Sequence, residues 1–152
     1  MKPAATSFPL PETLEPGLAR ILAAWKGLLR GEADMPFSDD IDLAHLPQDA
    51  DHAFLVAVFQ NPERFRFEAA GDRIAQRYGA ALDGAFADEI EPRPPLESFT
   101  DQCRATVAQR APTFYRPPPS GAARPAYGRL ILPAWGDGHV SLLLGAVVEA
   151  EG

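Results

Sequence analysis

The sequence predicts an α+β fold built on an antiparallel sheet of about five strands. Apolar and charged residues alternate over positions 64–69, which is the period of a strand, whereas apolar residues recur at helical spacing over 14–29 and 96–107. Prolines and glycines separate these segments, and two long apolar runs follow near the carboxyl end. We therefore expect the middle helices to cover one face of the sheet and the amino-terminal helix to cover the other.

The first element is an amphipathic helix within residues 13–31. Its large apolar residues form one stripe at helical spacing: Leu14, Leu18, Ile21, Leu22, Trp25, Leu28 and Leu29. This stripe is wider than docking on one sheet requires, so we expect a two-fold homodimer with Trp25 buried on or beside the contact. A monomer whose helix is covered by its own sheet is the alternative.

Prolines and charges divide the rest of the chain. We assign residues 1–12 to a mobile proline-rich tail, 32–51 to an acidic linker, 52–148 to one domain and 149–152 to a short tail. Within the domain the patterns predict strands at 53–59, 65–69, 113–116, 127–135 and 140–148, helices at 72–78 and 96–107, and a helical or irregular stretch at 82–90.

Composition and charge exclude several classes of protein. The 14 basic and 21 acidic residues give a net charge of −7, without the clustered basic face that nucleic-acid binding requires. The longest apolar runs, 53–59 and 142–148, are too short to span a membrane. The single cysteine, Cys103, cannot form an internal disulfide, which favours a cytoplasmic location.

Short motifs follow the order of the predicted elements. They are Trp25 with Leu28 and Arg30-Gly31, Met35-Pro36, Ile41-Asp42, Phe65-Arg66-Phe67, the run Gly71-x-x-Ile74-x-x-x-Tyr78-Gly79-x-x-Leu82-x-Gly84, Leu130-x-Leu132-Pro133 and Leu144-Gly145. Together, over about residues 18–148, they resemble the PAS-domain superfamily, and within it short stand-alone bacterial PAS-like proteins with an N-terminal tryptophan-bearing helix. One departure is Ala70-Gly71, where many PAS domains carry an asparagine after the second strand.

The resemblance implies a stand-alone sensory or signalling module with no catalysis of its own. Such modules hold a small apolar ligand between the sheet and the middle helices, or fill that space and act as protein–protein interaction modules. The candidate lining residues are Phe67, Ile74, Tyr78, Leu82, Phe86, Ile90, Phe99, Cys103, Leu130, Leu132, Leu142 and Leu144. Because only four residues follow the last predicted strand, we expect the signalling protein to act in trans.

The resemblance also suggests cofactors to test, and the cofactor itself stays unknown. Haem is not expected, since His45, His52 and His139 lie in the linker, at a strand edge and in a hairpin loop. Photoactive flavin is not expected either. Flavin relatives carry a reactive cysteine in an Asn-Cys-Arg context, whereas Cys103 follows Gln102 and lies on the apolar stripe of a helix.

The acidic linker contains residue types that bind metals: Asp39, Asp40, Asp42, His45, Asp49, Asp51 and His52. Counting from Asp40, an EF-hand loop needs glycine at the sixth position, where the chain has His45. We therefore expect no metal site, and we interpret these residues as caps and solvated loop. The sequence also lacks the Gly-x-Ser-x-Gly and Gly-x-Gly-x-x-Gly motifs of hydrolases and nucleotide-binding proteins, so an unfamiliar enzyme is the least favoured alternative.

Overall fold

The computed structural model describes residues 8–31, 33–46, 49–60, 62–93, 95–116, 127–136 and 138–149. Within these ranges lie the helices α1 (Pro16–Lys26), α2 (Asp72–Tyr78) and α3 (Phe99–Gln109), and the strands β1 (Ala53–Phe59), β2 (Arg64–Ala70), β3 (Thr113–Tyr115), β4 (Tyr127–Gly136) and β5 (His139–Glu149). Single 3₁₀ turns occur at Ser38–Asp40, Leu43–His45, Ala50–His52 and Ala87–Glu89. Most of the predicted mobile tail, and the closing tail after Glu149, lie outside the described residues.

The five strands form one antiparallel sheet in the order β2-β1-β5-β4-β3, which confirms the predicted fold class. β5 lies at the centre and pairs with β1 on one side and β4 on the other. No helix among the described residues is long and apolar enough to cross a membrane.

The register assigns the two faces of the sheet. On β5, Leu144 lines a cavity together with Trp25 of α1. The next residue, Gly145, lies against the ring of Phe54, which in turn contacts Phe99 of α3. Successive side chains of a strand point to opposite faces, so α1 covers one face and α3 covers the other, as the sequence predicted.

The α1 helix is shorter than the predicted stripe. It begins at Pro16, whose missing N–H suits a first turn, and it ends at Lys26. The flanking residues Leu14, Leu28 and Leu29 lie outside the helix and pack, partly buried, against the core. Trp25 is only 3% exposed in a single chain, so its own sheet already covers the ring.

Close backbone approach explains the glycine that follows β2. A Cβ atom at Gly71 would lie 2.3 Å from the carbonyl oxygen of Ala50 and 2.4 Å from that of Asp51. Any larger residue would therefore push the 3₁₀ turn before β1 away from the start of α2. The contact gives a physical reason for glycine at position 71.

The described chain between α2 and α3 is largely irregular, and it contains a single 3₁₀ turn at Ala87–Glu89. It hydrogen-bonds to the edge of β2, where Phe67 N donates to Ala85 O at 2.8 Å and Gly84 N donates to Phe67 O at 2.7 Å. The helix predicted from residue 96 begins at Phe99, because Ser98 adopts a left-handed conformation with φ of 57°. This irregular segment covers the sheet without being part of a long helix.

Candidate functional site

Three aromatic rings lie between the sheet and α3. Phe67 and Phe99 stack with ring centroids 5.2 Å apart, and Phe54 meets them edge-on at 5.7 and 5.5 Å. Gly145 opposite leaves room for this arrangement, since a Cβ there would lie 2.1 Å from the Phe54 ring. The centre of this face is therefore packed with side chains.

The structure brings together only part of the predicted pocket. Seven predicted residues belong to β2, α2, α3 or the segment between the helices, on the α3 side: Phe67, Ile74, Tyr78, Leu82, Ile90, Phe99 and Cys103. Phe86 lies instead at the sheet edge, where its ring is 5.7 Å from that of Phe59.

The remaining four predicted residues lie on the opposite face: Leu130, Leu132, Leu142 and Leu144. Leu132 pairs with Leu144, and Leu144 lines the cavity beside Trp25 of α1. All four residues therefore lie on the face of the sheet that α1 covers. This placement corrects the predicted pocket. On β4 and β5 the side chains that face α3 are those of the alternate residues, including Arg129, Ile131 and Leu143.

Arg129, which no sequence pattern indicates as a site residue, is the largest fully buried side chain in the described structure. Its Nε donates to Gln102 Oε1 at 2.6 Å, and its Nη1 donates to the carbonyl oxygen of Pro95 at 2.8 Å. Nη2 has no hydrogen-bond partner among the described residues and is closed to solvent. The guanidinium carbon lies 4.6 Å from the ring centroid of Tyr115 and 5.4 Å from that of Phe99.

A network of neutral polar groups supports this arginine. Gln102 Nε2 donates to Thr113 Oγ1 at 3.0 Å and to the carbonyl oxygen of Arg129 at 3.1 Å. Thr106 and Thr113 share a hydrogen bond of 2.6 Å, and all these residues are fully buried. The network fixes α3 against β3 and β4, and it supplies Arg129 with dipoles but with no negative charge.

The charge of Arg129 is uncompensated at close range. None of the ion pairs in the described residues includes it. Desolvation by burial lowers the pKa of its guanidinium to about 10. The carboxylate of Glu97 acts on it from a distance and accepts a hydrogen bond from Tyr127. A buried cation without a close anion is unfavourable, and a ligand could supply that anion.

Cys103 lies on the same side of the sheet and is fully buried on α3. Burial raises the pKa of its thiol far above the ordinary value, so the sulfur stays protonated at neutral pH. In this structure the side chain therefore packs as a small apolar group.

A cavity of about 320 Å³ opens at the beginning of α3. Its lining combines apolar and polar side chains: Ala87, Ile90, Pro92, Leu96, Ser98, Phe99, Thr100 and Asp101. Phe99 and Leu96 belong both to this lining and to the buried core. The cavity thus adjoins the face that contains Arg129.

Two further cavities lie on the α1 side of the sheet. One of about 250 Å³ lies beneath α1 between Trp25 and Leu144, and one of about 300 Å³ lies at the start of α1 beside Asp49 and Val148. The buried carboxylates there have cationic partners: Asp49 pairs with Arg20 at 2.7 Å, and Glu15 pairs with Arg116. In contrast to Arg129, these charges are balanced within the chain.

Two further aspartates of the acidic linker have partners close to them in the sequence. Asp40 pairs with Arg30 at 2.9 Å, and Asp42 accepts a hydrogen bond from Ala44 N at 2.9 Å as the cap of a 3₁₀ turn. Over the described ranges, no three His, Cys, Asp or Glu side chains are placed to hold a metal ion. The side chain of His45 lies outside the description.

Comparison with known proteins finds similarity only among solved structures. No protein family matches the sequence, and no curated protein matches it. A fungal LOV domain photoreceptor is 16% identical with a TM-score of 0.48, and the match covers 88% of this chain and 91% of that one. An RNA-binding light-oxygen-voltage receptor is 19% identical with a TM-score of 0.43, and the match covers 80% of this chain and 36% of that one.

These likenesses concern the fold alone. The strand order, the antiparallel pairing and the helices on the two faces define the described chain as an α+β module built on one five-stranded sheet. The sequence motifs predicted this architecture, and the structure agrees with it.

Proposed function

We propose that this chain is a PAS-like sensory module that binds a small, largely apolar ligand at the start of α3 and signals to a separate protein. The supporting observation is the cavity of about 320 Å³ lined by Ile90, Leu96 and Phe99. Its volume lies at the lower end of the range for small-molecule sites. The irregular segment that covers it can move without breaking the ladder of the sheet, so binding could be communicated to the surface. No catalytic step is part of this function.

The location proposed for the module is the cytoplasm, since its one cysteine is buried as a thiol and no disulfide supports the fold. RNA is not among the proposed ligands. The net charge is −7, and the exposed Arg30 and the partly exposed Arg64 and Arg66 are paired with carboxylates.

Filling the cavity tests the proposal. In the variant Ala87→Phe the new ring should occupy the cavity at the start of α3. The matched control is Ala24→Phe, whose ring should fill the cavity of about 250 Å³ beneath α1. With indole as the apolar probe, we expect a rise in Tm and slower amide exchange at residues 87–101 in the wild type and in Ala24→Phe, and neither effect in Ala87→Phe. Indole binding that survives in Ala87→Phe would contradict the site.

A second candidate function is a homodimeric interaction module that needs no ligand. Two observations favour it: the aromatic rings that fill the centre of the α3 face, and a partly exposed apolar strip on the α1 face formed by Leu55, Ala57, Phe59 and Leu142. This strip lies on β1 and β5, and β1 is next to the edge strand of the sheet. A second copy would bury it together with the exposed part of the α1 stripe, such as Leu22.

Sedimentation at micromolar concentration separates the two candidates. The second function requires a dimer, and we expect Phe59→Glu to dissociate it. The control is Phe37→Glu, which changes another exposed phenylalanine and should leave the dimer intact. A monomer of about 16.4 kDa in the wild type would end the dimer proposal.

A further inference from the structure

We propose that Arg129 anchors a small organic carboxylate, which gives the ligand of the proposed sensory site its chemical class. This inference rests on the proposed function, because the ligand would enter through the cavity at the start of α3. It goes beyond that function in predicting an anionic group on the ligand and in naming the residue that recognises it.

The hydrogen bonds of Arg129 leave a binding edge unused. A guanidinium has five N–H donors, of which Nε uses one toward Gln102 and Nη1 uses one toward Pro95. Both N–H groups of Nη2 lack an acceptor among the described residues, although the side chain is 0% exposed. The remaining N–H groups of Nη1 and Nη2 are held in a fixed plane and can donate two parallel hydrogen bonds to the two oxygens of one carboxylate.

The charge balance selects a singly charged ligand. The groups around the guanidinium are a glutamine, a main-chain carbonyl, two aromatic rings and the protonated thiol of Cys103. The carboxylate of Glu97 acts on it only from a distance, without an ion pair, and accepts a hydrogen bond from Tyr127. One carboxylate neutralises one cation, whereas a phosphate at neutral pH would bring more charge than Arg129 alone can balance. The rings of Phe99 and Tyr115 suit a ligand with a flat apolar body.

Phe99 connects the cavity with the arginine. Its ring lines the cavity of about 320 Å³ and also lies 5.4 Å from the guanidinium carbon. Nη2 is closed to solvent in this conformation, so the ligand must displace this ring or the segment at Pro95 to reach it. Ser98 lies between Pro95 and Phe99 in the sequence. Its backbone is left-handed with φ of 57°, a conformation that is unfavourable for a non-glycine residue. Release of this strain would favour movement at the start of α3, and binding would thereby shift the position of α3.

The test uses benzoate as the carboxylate, benzyl alcohol as its neutral counterpart and inorganic phosphate as the alternative anion. Calorimetric titration of the full chain should show benzoate binding more tightly than benzyl alcohol by roughly 10- to 100-fold, the value of a charge-assisted bond. Phosphate should bind more weakly than benzoate. The variant Arg129→Met should reduce benzoate affinity to that of benzyl alcohol.

Two variants serve as comparisons. Arg129→Lys retains the charge but loses the bidentate geometry, so we expect intermediate affinity for benzoate. Arg93→Met removes an arginine that also contacts a ring and a main-chain carbonyl, those of Tyr78, and should leave benzoate binding unchanged. If Arg129→Met does not fold, the Nε–H resonance of Arg129 in the wild type still reports the contact, and it should shift on benzoate titration and not on benzyl alcohol titration.

The outcomes separate this inference from the proposed function. Equal binding of benzoate and benzyl alcohol, with no effect of Arg129→Met, would overturn the anchoring role and leave the sensory site standing. Phosphate binding that depends on Arg129 and exceeds benzoate binding would overturn the carboxylate class. Failure of benzoate, benzyl alcohol and indole alike, with no shift of the Arg129 resonance, would overturn both proposals.

Discussion

Trp25 donates its indole N–H to the carbonyl oxygen of Pro133 at 2.9 Å and thereby ties α1 to β4. β3 pairs with β4 only as far as Ile131, and beyond it that edge is met by other groups. Trp135 N donates to the carbonyl oxygen of Pro36 at 2.9 Å, and the indole of Trp25 satisfies Pro133. A side chain of the first helix thus completes the hydrogen bonding of a buried strand, which explains why the helix is held on the sheet rather than free to leave it.

We predict that Trp25→Phe destabilises the fold by about 1–3 kcal/mol, because the carbonyl of Pro133 loses its donor while most of the apolar contact remains. Trp25→Ala should cost about 3–5 kcal/mol through the added cavity. Urea unfolding followed by circular dichroism measures both. Trp135→Phe is the matched control, since this partly exposed ring lies against Arg110, and it should cost less than about 1 kcal/mol.

Gly145 is predicted to be intolerant of even one methyl group. A Cβ there would overlap the ring of Phe54, so Gly145→Ala should cost about 1–3 kcal/mol or more through overpacking. In the background Phe54→Leu, whose smaller side chain leaves space, the same change should cost less, as a double-mutant cycle would measure. Gly27→Ala is the control, since its Cβ would lie at an ordinary 3.4 Å from the carbonyl oxygen of Ala24 and its φ is −66°. Equal costs in both backgrounds would contradict the packing described.

The periodicity of the sequence was sufficient to predict several elements. The bounds of β1 and α2 agree with the structure, because turn-forming residues end both segments: Asn61-Pro62 in the sequence after the apolar run of β1, and Gly79 after α2. The covering of both faces of the sheet was also predictable, since strands that are apolar on both faces must be covered on both. The end of α1 and the start of α3 were not, because they depend on local conformations such as that of Ser98.

The site was less predictable than the fold, and the reason lies in β4 and β5. Both strands are apolar at odd and even positions, so no pattern indicates whether Leu130 or Ile131 faces α3. Arg129 in such a strand would ordinarily be expected to reach solvent. Its burial depends on acceptors at Gln102 and Pro95, distant in the sequence, which no local pattern reveals.

Cys103 should be protected from thiol reagents in the folded protein. It is fully buried on α3, and burial raises the pKa of the thiol, so little thiolate is available at neutral pH. We expect the reaction with Ellman's reagent to be at least about 100-fold slower than in urea-unfolded protein, since it requires opening of α3. In the double variant Cys103→Ala/Gln60→Cys the new thiol lies at an exposed position. It should react as fast in the folded protein as in the urea-unfolded protein. Rapid reaction of native Cys103 would show that α3 is not docked as described.

The lowered pKa of Arg129 predicts a specific dependence of stability on pH. Burial lowers the pKa of its guanidinium to about 10, whereas in the unfolded chain the group keeps its higher, ordinary pKa. Between these two values the unfolded state binds a proton that the folded state has released, so the unfavourable effect of Arg129 on stability diminishes as the pH rises. Below this window the arginine is charged in both states, and its effect is constant.

Urea unfolding of the wild type and of Arg129→Met measures this dependence, and the comparison cancels the titration of groups that both proteins share. The difference in the free energy of unfolding should be flat from about pH 6 to pH 9 and should shift in favour of the wild type above about pH 10. A slope at lower pH would mean that Arg129 is coupled to an acidic group of the chain. In that case an internal acid, rather than a ligand, would balance the buried charge.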